Sequence, residues 1–572
     1  MTPQEIQAGL EAIIYAADEP ATLDQISKAL GIEKAETRAA LDQLMASLDT
    51  ARCEQTKANQ LATAPPRILF STIVAGNDVN TAYVVGRIAA GPAAAINASA
   101  AANAAPTTLD VDVPLIWRTT DGGKTWTSII NGLPKDERTG SWVNSLRADP
   151  VQAGLLFAGT ESTVYVSFDN GDHWQSLRQN LPSTSIRDLA VHTDTHLNDL
   201  VISTYGRGFW VLDNITPLRE IAAHASAISS APAYLFPPAD GIRARINSNW
   251  DQPFSVEVPH ATNVPYGVLV DYYLGHEPKG PIQLQVFDSK GNLVRTMSST
   301  LPPPITGEAY PHYWLATPES RALSTHIGMN RVNWNLNYDD PPAVRHDLEN
   351  EMNMTEGSTT PGPHGPQVIP GVYTLKLTVD GQVYSKNVTV VNDPRVGQSP
   401  ELMTALRVQS QLTLLSVNGM QQSFAGHEEV DAVRSQLTAL MQGNLPDDVA
   451  TQAKKLDASL INVGGVVAAG FGGGGGRGGP PPAPDALKPF VTLNNDYNTM
   501  VSMMQVGLDM APTPTQISTW ESDCTSYNRT VAAWKAMQPQ IADFNALLAK
   551  NNLQKLNVAP TKLTDVSCTF KP

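Results

Sequence analysis

Several groups of residues in this chain have types and spacing suited to chemistry. His192-Thr193-Asp194-Thr195-His196 alternates two imidazoles with a carboxylate. On an extended strand alternate residues share a face, so the three could approach one metal ion. A further ligand would be needed and none is identifiable, so the expectation is an exposed loop and no metal. Tyr205-Gly206-Arg207-Gly208-Phe209-Trp210 sets an arginine and aromatics between two glycines. The glycines let a backbone approach closely and the guanidinium suits a carboxylate. Arg207 and Trp210 are therefore candidate ligand contacts, with packing as their competing role. Cleaving an acidic glycoside would need an arginine cluster and a Tyr–Glu nucleophile pair. Arg118, Arg187 and Arg207 are present, but nothing in the sequence links them to a suitable Tyr and Glu. Trp117, Trp142, Trp250 and Trp334 could act as aromatic platforms or as core residues. No nucleophile elbow, Ser–His–Asp order or dinucleotide fingerprint is present. No catalytic residue and no cofactor is assigned.

Two octapeptides must position whatever acts here. Thr119-Thr120-Asp121-Gly122-Gly123-Lys124-Thr125-Trp126 and Ser167-Phe168-Asp169-Asn170-Gly171-Asp172-His173-Trp174 both read Ser/Thr-x-Asp-x-Gly-x-x-Trp, and they begin 48 residues apart. Residues Thr119, Asp121, Gly123 and Trp126, like Ser167, Asp169, Gly171 and Trp174, have structural roles in this pattern. The carboxylate accepts from backbone N–H groups of the turn, the glycine allows positive φ, and the tryptophan covers a hairpin. The pattern is the Asp-box, or BNR, turn of β-propeller blades, and a period of about 40–50 residues is one blade long.

Composition bounds the rest. At 572 residues the chain should hold several domains, and 42% hydrophobic residues suffice for real cores. A net charge of −16 argues against a broad nucleic-acid surface. The 41 glycines and 43 prolines suit short strands joined by turns. Of the three cysteines, Cys53, Cys524 and Cys568, the last two could pair in an oxidising compartment or remain as buried thiols. No apolar run approaches the ~18–20 residues of a membrane span, and Met1 to Pro20 lacks the basic and apolar regions of a signal peptide. The expectation is a cytoplasmic chain with no membrane contact.

The pattern along the chain predicts a multidomain protein, mainly β with α. Residues 1–50 read as short helices in a helix-turn-helix arrangement, with Thr22 and Gln25 as a capping box. Residues 51–66 read as a linker. Residues 67–220 alternate as strands and turns and leave room for about three blades of a partial propeller; Ala89–Thr107 reads as a loop. Residues 221–395 read as a β-sandwich with a hairpin at the Asp380-Gly381 turn, on the alternation Val372, Thr374, Leu375, Leu377 and Val379, and a long loop over Asp339–Gln367. Residues 396–463 turn helical from Ser399-Pro400, and 464–484 form a Gly/Pro-rich linker. Residues 485–572 read as a helical hairpin or bundle. Its helix starts at Thr513-Pro514, has a seam of Ile517, Trp520, Cys524, Tyr527, Val531 and Trp534, and is kinked or ended by Pro539.

The segments Trp117–Trp126, Leu155–Trp174 and Asn198–Glu220 resemble the end of bacterial BNR-repeat, sortilin-like propeller proteins, often labelled glycosyl hydrolase. The resemblance covers about 67–572. It implies a FlgD-type, Ig-like sandwich after the propeller, an exported protein, and more blades than this chain has room for. The segment Leu10–Ile32 resembles the first winged-helix domain of ScpB, the segregation and condensation protein. That resemblance implies binding of a kleisin in an SMC complex, and residues 1–57, with ten acids and five bases, favour protein contact over DNA contact. Together these imply a mosaic joined near Gln60. The expected function is a non-enzymatic binding or scaffold protein presenting surfaces to protein or glycan partners. The alternatives are a chromosome-segregation accessory and a glycoside hydrolase. Because three blades cannot close a ring, residues 67–220 are expected to self-associate through exposed edges.

Overall fold

The computed structural model describes residues 23–30, 32–42, 67–89, 114–134, 142–194, 196–244, 265–304, 315–346, 360–467, 486–506 and 509–571. The fold is mixed, mainly antiparallel sheets with helices. It divides into two compact units, Met1–Ser229 and Ser230–Pro572.

In the first unit, helix α1 (Leu23–Leu30) is followed by a helical segment over 34–42, and the Ser27 and Thr37 hydroxyls are 3.0 Å apart. The remainder of the predicted N-terminal helices, the 51–66 linker, Cys53 and most of Ala89–Thr107 lie outside the described residues.

Three antiparallel meanders follow. The first is β1 (Arg67–Ala75), β2 (Ala82–Ala89), β3 (Leu115–Thr119) and β4 (Thr127–Ser128). The second is β5 (Val143–Ala148), β6 (Leu156–Thr160), β7 (Val164–Ser167) and β8 (Gln175–Ser176). The third has three strands, β9 (Ile186–Thr193), β10 (Asn198–Thr204) and β11 (Phe209–Leu212). The meanders stack face to face. One core joins Tyr83, Val85 and Ile116 of the first to Leu146, Leu156 and Trp174 of the second. Another joins Phe157, Val164 and Val166 of the second to Leu189, Leu200 and Ile202 of the third. The second sheet is thus covered on both faces, and every residue of β6 is buried. That is why Leu156-Phe157-Ala158 reads as a continuous apolar run rather than an alternation. Helix α2 (Thr216–Ser230) follows, in a stretch whose sequence announced only the end of the sheets. Arg219 on it reaches the buried Asp149 at 2.9 Å, Thr193 Oγ1 at 2.7 Å, and Asn198.

In the second unit, β12 (Ala233–Leu235), β14 (Val268–Leu274) and β17 (Gly328–Trp334) form one sheet. The other runs β13 (Gly241–Arg243), β19 (Gln382–Asn392), β18 (Gly371–Val379), β15 (Gln283–Phe287), β16 (Leu293–Ser298). Both contribute to one core that includes Val270, Tyr272, Leu284, Trp334, Leu375 and Leu377. The β18–β19 hairpin turns at Asp380 and Gly381, with φ of 49° and 80°. Its inward set is Tyr373, Leu375, Leu377 and Val379; Val372 points to solvent, because side chains alternate strictly along a strand.

Helices α3 (Pro400–Met441), α4 (Asp447–Gly464), α5 (Phe490–Val506) and α6 (Pro514–Lys550) share a separate core. Ser399 caps α3, and the Thr513–Gln516 capping box opens α6. Gly419 and Gly426 lie against the rings of Tyr497 and Phe490, where an added Cβ would sit 2.6 Å from ring carbons. Pro539 does not end α6, which continues to Lys550. Burial of Met537, Ile541, Phe544 and Leu548 around it outweighs the ~3 kcal/mol cost of an interior proline. Helix α6 ends at Lys550. Residues 551–571 carry no regular structure and are pinned by side chains: Glu429 accepts from Lys562 N–H, Gln436 from Asn557 N–H and Glu521 from Phe570 N–H. Cys524 on α6 is disulfide-bonded to Cys568 in this tail. Most of the Gly/Pro-rich linker lies outside the described residues.

Candidate functional site

The two octapeptides form the β3–β4 and β7–β8 turns, and their internal geometry is nearly the same. In the first, Thr119 Oγ1 donates to Asp121 Oδ1 (2.8 Å) and accepts from Gly123 N–H (2.9 Å). Asp121 Oδ1 accepts from Thr125 N–H (2.9 Å) and Oδ2 from the Thr125 hydroxyl (2.7 Å). In the second, Ser167 Oγ donates to Asp169 Oδ1 (2.8 Å) and accepts from Gly171 N–H (2.8 Å). Asp169 Oδ1 accepts from His173 N–H (2.9 Å), and Oδ2 lies 2.6 Å from His173 Nδ1. Gly123 and Gly171 take φ of 87° and 91°, where a side chain is strained. Hydrogen bonds from the Thr125 hydroxyl and backbone hold the Asp121 carboxyl down at about 2. Burial pushes Asp169 up, but bonds from His173 and Ser167 outweigh it and its carboxyl also lies below the usual range. Every carboxylate oxygen named here is committed to its own turn, which leaves these groups as scaffolding.

At the other end of β7 lies a cluster that no sequence motif announced. Glu161, in the β6–β7 turn, is the focus. Its Oε1 accepts from Trp142 Nε1 (2.6 Å), Asn144 Nδ2 (2.8 Å) and Arg187 (3.3 Å). Burial would raise this carboxyl, but the hydrogen bonds from Asn144 and Trp142 and the charge of Arg187 outweigh it, so it lies below the usual carboxylate range. The Arg187 guanidinium also sits 5.0 Å from the Tyr205 ring centroid, a cation–π distance. Trp142 and Asn144 flank the start of β5, Arg187 begins β9, and Tyr205 lies in the β10–β11 turn, so the second and third meanders build the cluster together. Tyr205 is 72% exposed, and Phe209, on β11 of the same hairpin, is 80% exposed. In sequence Trp142, Arg187 and the Tyr205–Trp210 segment stood out separately and nothing joined them; Glu161 stands in an ordinary-looking turn.

The other expected residues are placed as follows. Arg207 is exposed, and its carbonyl accepts from Trp210 Nε1 at 3.0 Å. Trp210 is half-buried against the core between the second and third meanders. Arg118 faces the second octapeptide, donating to Asn170 O at 2.6 Å and pairing with Asp172 at 2.9 Å. It is therefore not grouped with Arg187, which faces Glu161. Asp194 caps its own turn by accepting from His196 and Leu197 N–H (both 2.6 Å). Among the described residues no group of three or more His, Cys, Asp or Glu could hold a metal ion. Trp334 is a core residue, Trp117 and Trp142 are half-buried, and Trp250 lies outside the described residues. Among the described residues no helix is long and apolar enough to cross a membrane.

No family model matches this chain, and no curated protein matches it. Among solved structures it is similar to a GH74 xyloglucanase from Xanthomonas campestris, at 11% identity and a TM-score of 0.17, over 56% of this chain and 38% of that one. It is also similar to the extracellular domain of a putative one-component system from B. thetaiotaomicron (10% identity, TM-score 0.15, 57% and 37% covered). A third is an ancestral GH74 enzyme (11% identity, TM-score 0.15, 56% and 42% covered). The chain thus spans about two fifths of the length of these structures. The likeness is distant and partial.

Proposed function

We propose that this is a non-enzymatic binding protein whose meanders are blades of an incomplete propeller, followed by an Ig-like sandwich and a helical bundle. Its ligand surface is the Glu161 end of the second and third meanders, and its ligand is a glycan. The exposure of Tyr205 against an anchored Arg187, with Phe209 exposed in the same hairpin, carries this reading. Aromatic faces stack on the apolar faces of sugar rings, and the Glu161–Arg187–Tyr205 chain fixes one of them in place before binding. Arg207, exposed in the same hairpin, supplies hydrogen-bond donors for hydroxyl or carboxylate groups. The Glu161 carboxylate is held by donors from Trp142, Asn144 and Arg187 rather than aimed at a nucleophile or water, which favours binding over hydrolysis.

The bonded pair Cys524–Cys568 supports a place in an oxidising compartment, against the cytoplasmic expectation from sequence. A glycan array followed by calorimetry tests the ligand class. A hit should weaken at least tenfold in Tyr205→Ala and Phe209→Ala. A glycan that binds both variants as well as the parent chain would move the site elsewhere. Release of a fluorophore from glycosides above background would overturn the non-enzymatic reading.

A further inference from the structure

The second octapeptide is docked on the first meander. Trp174 N–H donates to Asn131 O (2.8 Å) and Trp174 Nε1 to Ile129 O (2.7 Å). The Ile129 side chain lies over Gly171, and a Cβ on Gly132 would strike the Trp174 carbonyl. Tyr83 and Arg118 of the first meander add bonds to Asn170 and Asp172. The segment leaving β4, Ile129-Ile130-Asn131-Gly132, is thus the receptor strip for the next octapeptide.

Nothing among the described residues is docked on the same half of the joint in the first octapeptide. Among the described residues, Trp126 donates neither its backbone N–H nor its indole N–H, and the indole nitrogen is shielded from solvent. No atom of the described residues stands within 4 Å of a Cβ placed on Gly123, where Ile129 covers the equivalent Gly171. Position 124 is an exposed lysine where position 172 is the aspartate paired to Arg118. The outer face of the sheet carries Phe70 and Ile73, both substantially exposed, and Trp117, which packs edge-on to Phe70 at 6.0 Å. A donor without an acceptor is destabilising, and a partner carbonyl would offset that.

We infer that the outer face of the first meander is a docking surface for a partner polypeptide of defined chemistry: an antiparallel meander ending in an apolar-apolar-Asn-Gly strip, with a carboxylate placed to meet Lys124. The strip's first carbonyl accepts from the Trp126 indole, its asparagine carbonyl accepts from Trp126 N–H, and its first apolar side chain covers Gly123. Charge sets the choice of partner, because the Arg118 that suits Asp172 would repel Lys124. Nothing in this surface depends on the glycan-binding role of the Glu161 end, which the array above tests separately.

The test uses the full chain with 15N-labelled tryptophan and a synthetic peptide copying residues 127–134. The expected result is a saturable shift of the Trp126 indole N–H signal, assigned with Trp126→Phe, while the Trp174 signal stays in place. Affinity should fall at least tenfold in Trp126→Phe and in a peptide carrying Ala for the Asn-Gly pair. Trp126→Phe should melt with the parent chain, since its indole makes no bond to lose. No saturable shift at millimolar peptide, or equal binding by Trp126→Phe, overturns the inference. Sedimentation showing Trp126-dependent self-association overturns it too, because the occupant would then be a second copy.

Discussion

The two octapeptides are the same turn in two surroundings. Within four residues they match bond for bond: hydroxyl to carboxylate, hydroxyl from glycine N–H, carboxylate from the N–H of position seven. Beyond the turn they part. Trp174 is buried between two sheets with both N–H groups donated, and Trp126 is half-buried with neither donated to a described residue. The motif therefore determines a loop conformation, while the neighbouring meander determines whether that loop joins two sheets.

The largest test of this difference is to remove each tryptophan. Trp174→Ala should cost about 3–5 kcal/mol of the first unit's stability in a urea melt, the usual price of a large buried aromatic. Trp126→Ala should cost clearly less, because its ring leaves no sheet–sheet cavity. Equal losses would break the comparison. Next come the glycines. Gly123→Val and Gly171→Val both meet a positive φ, worth roughly 1–2 kcal/mol, but only Gly171→Val also collides with Ile129. Overpacking of that kind adds about 1–3 kcal/mol, so Gly171→Val should melt the lower of the two. A smaller effect lies in the charges. Arg118→Met should destabilise by about 1–2 kcal/mol through lost bonds to Asp172 and Asn170, and Lys124→Met should leave the melt unchanged.

The smallest effect is in acid. Both carboxyls titrate below their unfolded value of about 3.9, so each stabilises the fold above that pH. That contribution is lost as pH falls through the folded value, about 2 for Asp121. A carboxyl-13C titration should show His173→Ala raising the Asp169 midpoint and leaving Asp121 where it was. If both move, the two turns are coupled in a way their separate bonds do not explain.

Features set by neighbouring residues were readable before any tertiary structure. The Ser399 and Thr513 caps, the Asp380-Gly381 turn and the seam from Trp520 to Trp534 each depend on contacts within a turn or two. Features set by distant segments were not. Glu161 draws its donors from positions 17 to 26 residues away on other strands, and none of those residues forms a pattern with it in sequence. The 551–571 tail offers no periodicity at all. Its order comes from Glu429, Gln436 and Glu521 on the long helices.

What the sequence by itself determined is local: an Asp-box turn, a strand period, a helix start. Such units close their own hydrogen bonds, so the same residues make the same shape wherever they stand. Long-range packing sets that one box is docked on a neighbouring meander while the other, among the described residues, is not, that Arg118 serves the turn and Arg187 the Glu161 cluster, and that Cys524 meets Cys568. Each of these depends on which sheet or helix lies alongside. That is a matter of long-range packing, where a residue's role is set by burial and by partners far along the chain.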